Sequence, residues 1–447
     1  VQDSGIIRHP SPVAAMARLP ILELDIVDLA SDGRGVARHG QKAVFVKGAL
    51  TGERVRAQVI KPHRQYDDAV AIEVLQASPA RVAPPCAHTD VCSGCSLQHL
   101  SVTAQIELKQ KHLIDSLERI GKVAPQRLLP ALQRETLGYR RKARLSVKFV
   151  DKKNAALVGF REDNGRYVAD IERCETIDPR VGVLIAPLKL LVSALSVRRE
   201  LAQIEVAAGD RVALVFRHLA PLAAEDRELL RQFGALHGVE IVLQPGGIDS
   251  LTTLDGTAPS ELRYAVEDGL WLNYRPLDFV QVNDSVNRAM IAQALELLDA
   301  GKDDSVLELF CGLGNFTLPL GRRVGSVVGV EGDAGLLERA ARNAAQAGLD
   351  NIRYAAADLS QDHRDAWWAQ DSYTRLLLDP PRAGADHALA YLPGSRVQRI
   401  VYVSCHPATL ARDAAMFCAR GFKLDAAGVM DMFPHTSHVE SMALFVR

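Results

Sequence analysis

Seven cysteines, at positions 86, 92, 95, 174, 311, 405 and 418, divide by context into two chemically different groups. Cys86, Cys92 and Cys95 lie within ten residues of one another, and Cys174 is the natural fourth thiolate. Four soft sulfur ligands suit a structural zinc or an iron–sulfur cluster. Spacing alone does not decide between them, although unequal gaps and one distant ligand lean toward the cluster. An odd number of cysteines in a long chain without an export signal argues against a disulfide framework. Cys405 stands apart, in Val401-Tyr402-Val403-Ser404-Cys405-His406-Pro407, where an apolar run ends on a thiol. Such a thiol is a candidate nucleophile, whereas Cys311 and Cys418 read as small buried hydrophobes.

A second constellation surrounds Cys311. The run Val306-Leu307-Glu308-Leu309-Phe310 leads into Cys311-Gly312-Leu313-Gly314-Asn315 and then helical text. Glycines let the chain turn sharply and let a ligand approach the backbone. The next apolar run, Val327-Val328-Gly329-Val330, ends in Glu331, placed to accept hydrogen bonds from both ribose hydroxyls of a nucleoside cofactor. Asp358 closes the third strand region and is a candidate for the adenine edge. The third glycine of the dinucleotide fingerprint is missing, as expected where no pyrophosphate is cradled. Together these features resemble the class I S-adenosylmethionine methyltransferases rather than the dehydrogenases.

Leu376-Leu377-Leu378-Asp379-Pro380-Pro381-Arg382 delivers Asp379 to a strand end, and the following strand delivers Cys405 to the same rim. Phe433-Pro434-His435-Thr436-Ser437-His438-Val439-Glu440 supplies a carboxylate just before a closing strand. A thiolate and a carboxylate facing one site suit methylation of carbon 5 of a pyrimidine. Thiolate addition to carbon 6 makes carbon 5 nucleophilic, and a base then removes its proton so that the thiolate can leave. Cys405 is the expected nucleophile and Glu440 the expected base.

The elements that must position these groups fall into three parts. A loose leader is expected over residues 1–16, and short alternating β runs with Gly-rich turns over 19–77 suggest a small barrel. Prolines at 79, 84 and 85 mark a boundary. The cysteine group, a helix over 101–120 ended by Gly121, and a mixed α/β stretch with strands at 143–150, 213–216 and 240–243 follow. From about 283 strand and helix alternate: helices at 286–298 and 333–347, strands at 305–310, 326–330, 352–355, 375–378, 399–404 and 441–446. That alternation implies a mostly parallel, doubly wound sheet. The expected division is a barrel over 1–78, a central domain over 79–282 and a methyltransferase domain over 283–447. Net charge is −1 on 447 residues, so any nucleic-acid surface must be local. The stretch Tyr139-Arg140-Arg141-Lys142-Ala143-Arg144-Leu145-Ser146-Val147-Lys148 holds five basic residues and no acid, and it is the expected phosphate-contacting strand. No apolar run of membrane-spanning length is present, and a cytoplasmic protein is expected.

Over residues 19–447 the chain resembles the RNA uridine-5 methyltransferase family, in its large-subunit rRNA branch. The resemblance rests on Asp278-Phe279-Val280-Gln281-Val282-Asn283, Glu308 to Gly314, Asp379-Pro380-Pro381-Arg382, Ser404-Cys405-His406-Pro407 and His435 to Glu440. It implies a multidomain α/β protein: an N-terminal OB-like TRAM β-barrel, a central α+β iron–sulfur domain and a C-terminal Rossmann-like class I methyltransferase. It implies a nucleophile at Cys405, a base at Glu440, and S-adenosylmethionine contacts from Gln281, Phe310, Gly312, Gly314, Asn315, Glu331, Asp358 and Asp379. It favours a [4Fe-4S] cluster on Cys86, Cys92, Cys95 and Cys174. The N-terminal text around Gly33-Arg34-Gly35-Val36-Ala37 is similar to the TRAM module, which makes Arg34, Arg38, Lys42 and Lys47 candidate RNA contacts beside Tyr139, Arg140, Arg141, Lys142 and Arg144. The expected substrate is a specific uridine of 23S rRNA, single-stranded or in a loop, flipped into the site of a monomeric enzyme. The same reaction on tRNA, cytidine-5 methylation and a non-catalytic RNA-binding metalloprotein are the alternatives.

Overall fold

The computed structural model describes residues 19–163, 165–391 and 396–447, so the leader expected over 1–16 lies outside the described residues. Chain contacts divide the protein into two units. The first comprises residues up to 85, with 95–108 and 435–437; the second holds 86–94, 109–434 and 438–447.

The first unit is a six-stranded sheet ordered Ile21–Asp25, Arg54–Pro62, Tyr66–Gln76, Lys42–Lys47, Gly35–His39, Asp28–Leu29. Side chains alternate in and out along Arg54–Pro62, and Leu24, Val44, Val46, Val55 and Ala57 form the core that this alternation predicts. The strand Tyr66–Gln76 lies within the 19–77 stretch expected to form β runs, with Asp67 and Asp68 near its start. Those acids face cations, with Lys42 on Asp67 at 2.9 Å and Arg34 on Asp68 at 2.6 Å.

The second unit contains two large sheets. One runs Thr252–Thr253, Glu240–Gln244, Val212–His218, Leu201–Ala208, Lys142–Val150, Ala155–Gly159. The other has eight strands, ordered Ile352–Ala356, Ser326–Glu331, Ser305–Leu309, Arg375–Leu378, Arg399–Ser404, Glu440–Val446, Lys423–Met430, Arg127–Leu128. Its first five strands are parallel, as the strand–helix alternation predicts. Glu440–Val446 then enters antiparallel between Arg399–Ser404 and Lys423–Met430.

Helix ends follow local chemistry. The Asn283 side chain caps Asp284–Leu298 by accepting from the Val286 amide, and Asp333 caps Ala334–Gln346 by accepting from the Leu336 amide. The helix expected over 101–120 is α-helical over Val102–Ser116 and widens to a π turn over Leu117–Gly121. A Cβ on Gly121 would lie 2.5 Å from the Ala411 carbonyl oxygen, so only glycine allows that approach.

Candidate active site

The carboxyl ends of the parallel strands form the rim on which the sequence-predicted groups meet. Leu309 pairs with Leu378, and Leu378 pairs with Tyr402 on Arg399–Ser404. Phe310, Asp379 and Cys405 therefore leave adjacent strand ends. Ser404 in turn lies opposite Ser441, which brings Glu440 to the same edge from the antiparallel strand.

The loop after Leu309 is built for close approach of a ligand. Phe310, Gly312 and Gly314 all have left-handed backbone, at φ 63°, 53° and 95°. A Cβ on Gly312 would meet nothing within 4 Å, so the loop borders open space. Glu331 accepts the Gly312 amide at 3.1 Å, and its other oxygen accepts the amides of Gly332 and Asp333 at 2.7 and 3.1 Å. Beneath the loop Glu308 is buried and accepts the Thr317 hydroxyl at 2.6 Å, with no ion pair among the described residues. Burial, with the Asp379 and Glu331 charges, pushes its carboxyl up to about 8.

Asp379 accepts a long hydrogen bond from the Gln281 side-chain amide at 3.4 Å. The Gln281 carbonyl is fixed by Arg141 Nε at 2.6 Å, and two residues on Asn283 opens the following helix. Burial pushes the Asp379 carboxyl up to about 7. Burial and then the Asp379 charge push Glu440 up to about 8, against the opposing pull of Lys109 and Arg382. Burial, Glu440 and Asp379 raise the Cys405 thiol to about 11, while Arg382 lowers it. Asp379 thus raises the proton affinity of Glu440, and both carboxyls raise that of Cys405, as like charges sharing a site do. A positive charge entering among them favours the ionised form of each.

Other expected residues are placed less simply. Asn315 exchanges hydrogen bonds with Asn287 at 2.9 Å in both directions and accepts from Tyr264 at 3.2 Å. Asp358 is exposed, and Ser360 amide and hydroxyl bonds hold its carboxyl below the usual range. The basic stretch turns inward more than phosphate contact requires. Arg141 is buried, pairs with Asp284 at 2.7 Å and stacks over Tyr264; buried Tyr139 donates to the Pro434 carbonyl at 3.2 Å. Lys142 donates to the Pro276 carbonyl, and burial lowers its ammonium to about 8. Arg140 donates to the Lys142 carbonyl at 3.0 Å and lies over Phe160. Along the strand Ala143, Leu145 and Val147 point inward, whereas Arg144 is exposed and pairs with Glu205 at 2.9 Å. In the first unit Arg34 is held between Asp32 and Asp68 and lies over Phe45, Lys47 is half-buried, and Arg38 is exposed.

Cys86, Cys92 and Cys174 sense one another electrostatically. Burial raises the Cys86 and Cys92 thiols first, and the neighbouring sulfurs add to it. The amides of His88 and Gly94 donate to the Cys86 and Cys92 sulfurs, each at 3.4 Å, and Thr176 meets the Cys174 sulfur at 3.4 Å. Cys95 falls in the other contact unit. Among the described residues no group of three or more His, Cys, Asp or Glu side chains is arranged to hold a metal ion.

Three further residues bear on the site without a distinctive sequence signal of their own. Phe279, two residues before Gln281, is 73% exposed. Arg382 is exposed yet bears on Cys405, Glu440 and His438. Lys109 is fully buried on Asp431. Phe279 and Arg382 lie inside quoted motifs, where their exposure beside the acids was the missing information; Lys109 sits in ordinary helical text.

Residues 266–447 match the tRNA (Uracil-5-)-methyltransferase family model and residues 21–72 match the TRAM domain. The chain is 53% identical over 433 residues to the 23S rRNA (uracil(1939)-C(5))-methyltransferase RlmD of Xylella fastidiosa, covering 95% of this chain and 97% of that protein. It is 52% identical over 429 residues to the protein of the same name from Stenotrophomonas maltophilia, covering 95% and 96%. The fold is shared with the crystal structure of the Pyrococcus abyssi tRNA (uracil-54, C5)-methyltransferase in complex with S-adenosyl-L-homocysteine. That likeness has a TM-score of 0.72 at 22% identity, covering 95% of this chain and 99% of the other. No helix among the described residues is long and apolar enough to cross a membrane.

Proposed function

The chain belongs to the family of 23S rRNA uracil-C5-methyltransferases, and from that premise we propose that it methylates carbon 5 of one uridine in 23S rRNA, with Cys405 as nucleophile and Glu440 as base. The observation that carries this reading is the delivery of Cys405 and Glu440 to one rim by the Ser404–Ser441 pairing, beside the Gln281–Asp379 contact.

The Cys405 thiolate forms a bond to uracil carbon 6, and the electrons of the 5,6 double bond move onto the carbon 4 oxygen as an enolate. S-adenosylmethionine, when bound, supplies an electrophilic methyl group on a sulfonium sulfur. Once carbon 5 carries the methyl, Glu440 takes the carbon 5 proton. The 5,6 double bond re-forms and the carbon 6–sulfur bond breaks, releasing the thiolate. The open space at Gly312 fits a nucleoside cofactor, with Glu331 toward the ribose, Asp358 toward the base, and Gln281, Phe310, Gly314, Asn315 and Asp379 around the remainder. Asp379 and Gln281 also offer hydrogen bonds to the polar edge of the target uracil.

The TRAM match supports RNA binding by the N-terminal unit, through Arg34, Arg38, Lys42 and Lys47. Exposed Arg144 and Phe279 add contacts in the second unit. The uridine is taken in splayed out of its strand, because Cys405 is half-buried at a strand end. Monomeric action in the cytoplasm is part of the same reading.

A [4Fe-4S] cluster on Cys86, Cys92, Cys95 and Cys174 belongs to this proposal. Its support is the four-thiol donor set, the mutual influence of three sulfurs and the amide donors at Cys86 and Cys92. No catalytic step uses it. Anaerobically purified protein should be brown with about four irons per chain; one zinc and no visible absorption would remove the cluster from the reading.

Nucleoside mass spectrometry on unmethylated rRNA treated with the protein and S-adenosylmethionine tests the whole. One 5-methyluridine at one rRNA position is the expected product. Product on tRNA alone would move the substrate, and 5-methylcytidine would overturn the uridine assignment.

A further inference from the structure

Lys109 is a lysine with no access to water. Its side chain is 1% exposed, and that of its partner Asp431 is 0% exposed. The ammonium donates to Asp431 Oδ1 at 2.6 Å and to the Phe433 carbonyl at 3.0 Å. The second Asp431 oxygen is buried without a hydrogen-bond partner among the described residues. A buried ion pair is a poor stabilising device, because losing two hydration shells offsets most of the attraction. An arrangement with an unsatisfied oxygen is poorer still, so its presence here asks for another reason.

The register supplies one. Asp431 follows Met430, and Met430 lies opposite Glu440 in the antiparallel ladder. Phe433, whose carbonyl the same ammonium holds, begins the segment that returns the chain to Glu440. We propose that Lys109 is a positioning residue for the base: it fixes the 431–433 segment and presents a buried positive charge to Glu440.

The charged groups facing Glu440 are Asp379, which strengthens its hold on a proton, and Lys109 and Arg382, which weaken it. Those bearing most on Cys405 are Glu440, Asp379 and Arg382. Lys109 is among the main charges on the base, and exposed Arg382 bears on both groups. Burial weakens the Lys109 ammonium, but the Asp431 carboxylate opposes that effect first and Glu440 adds to it.

This inference rests on the roles given above to Cys405 and Glu440, and the test separates the two. Three proteins are compared: the native chain, Lys109→Arg, which keeps a positive charge beside Asp431, and Lys109→Met/Asp431→Asn, which removes both charges without leaving one unpaired. Each is given an rRNA fragment carrying uridine or 5-fluorouridine. With 5-fluorouridine the methylated carbon 5 has no proton to lose, so the Cys405 adduct persists and its rate reports every step before the base acts. The double variant should form that adduct at the native rate. On uridine its turnover should fall about tenfold at pH 7, with the rising limb of the pH profile displaced upward, since an opposite charge nearby is worth roughly one pK unit or more. Lys109→Arg should keep the native limb. An unchanged limb in the double variant, or adduct formation slowed as much as turnover, would overturn the inference. Failure of the native protein to form any adduct would instead overturn the covalent reading beneath it.

Discussion

Cys405 and Glu440 are each the next residue beyond the pair Ser404 and Ser441, which face one another in the antiparallel ladder and are joined by the Ser441 hydroxyl on the Ser404 carbonyl at 3.3 Å. Residues directly opposite in such a ladder point to the same face of the sheet. One register choice therefore places Cys405 and Glu440, the proposed nucleophile and base, together, and the two can be separated experimentally only by chemistry. Cys405→Ala should give neither covalent adduct nor product. Glu440→Gln should still form the adduct and accumulate it on a denaturing gel, with turnover lowered about a hundredfold to ten-thousandfold. Adduct formation lost equally in both variants would refute the division of roles.

Glu308 makes stability depend on pH in a definite direction. Its carboxyl starts from 4.5 and is pushed up to about 8. The folded protein thus holds a proton that the unfolded chain releases, and the associated stability is present below about 4.5 and lost as pH rises to about 8. The slope is at most ~1.4 kcal/mol per pH unit. Glu308→Gln keeps an oxygen for the Thr317 hydroxyl, so its melting temperature should gain on the native protein from pH 5 to pH 8 and then level off. A constant difference across that range would show that Glu308 is ionised throughout.

Asp379, at about 7, and Glu440, at about 8, hold protons near neutral pH in the free protein. Uptake of a cationic ligand among them should release protons. Calorimetric titration with S-adenosylmethionine near pH 7 should show an enthalpy that varies with buffer ionisation heat, more than S-adenosylhomocysteine does. Asp379→Asn should reduce the variation. Equal buffer dependence for both ligands would refute the coupling.

Phe279 presents an open aromatic face two residues from Gln281 and is 73% exposed. Stacking on a nucleobase contributes about 1–3 kcal/mol. Phe279→Ala should raise the KM for rRNA roughly fivefold to a hundredfold, leaving cofactor affinity unchanged, and Phe279→Tyr should restore it. An unaltered KM would assign the ring to some other contact.

The sequence made the parallel part of the eight-stranded sheet legible because buried strands there are short apolar runs bounded by Gly, Pro and Asp. Cys405, Asp379 and Glu331 were legible for the same reason, since each ends such a run. The antiparallel insertion of Glu440–Val446 between two earlier strands was not, because strand order is a long-range property that local periodicity does not encode. The basic stretch over 139–148 shows the opposite failure. Composition suggested a surface, but Arg141 and Lys142 spend their charges on the Gln281 and Pro276 carbonyls. Lys109 was invisible because nothing in a helix sequence distinguishes a solvated lysine from one that tertiary packing has enclosed.

The position of Glu440–Val446 between Arg399–Ser404 and Lys423–Met430 has a consequence for a chain growing on the ribosome. Both flanking strands emerge before the one that must lie between them, so they cannot reach their final neighbours until it arrives. Until then the nascent protein carries Cys405 without Glu440 beside it and an open seam in its sheet, the kind of unpaired edge that chaperones and proteases recognise. The eight-stranded sheet is continuous only once residues 440–446 close the gap.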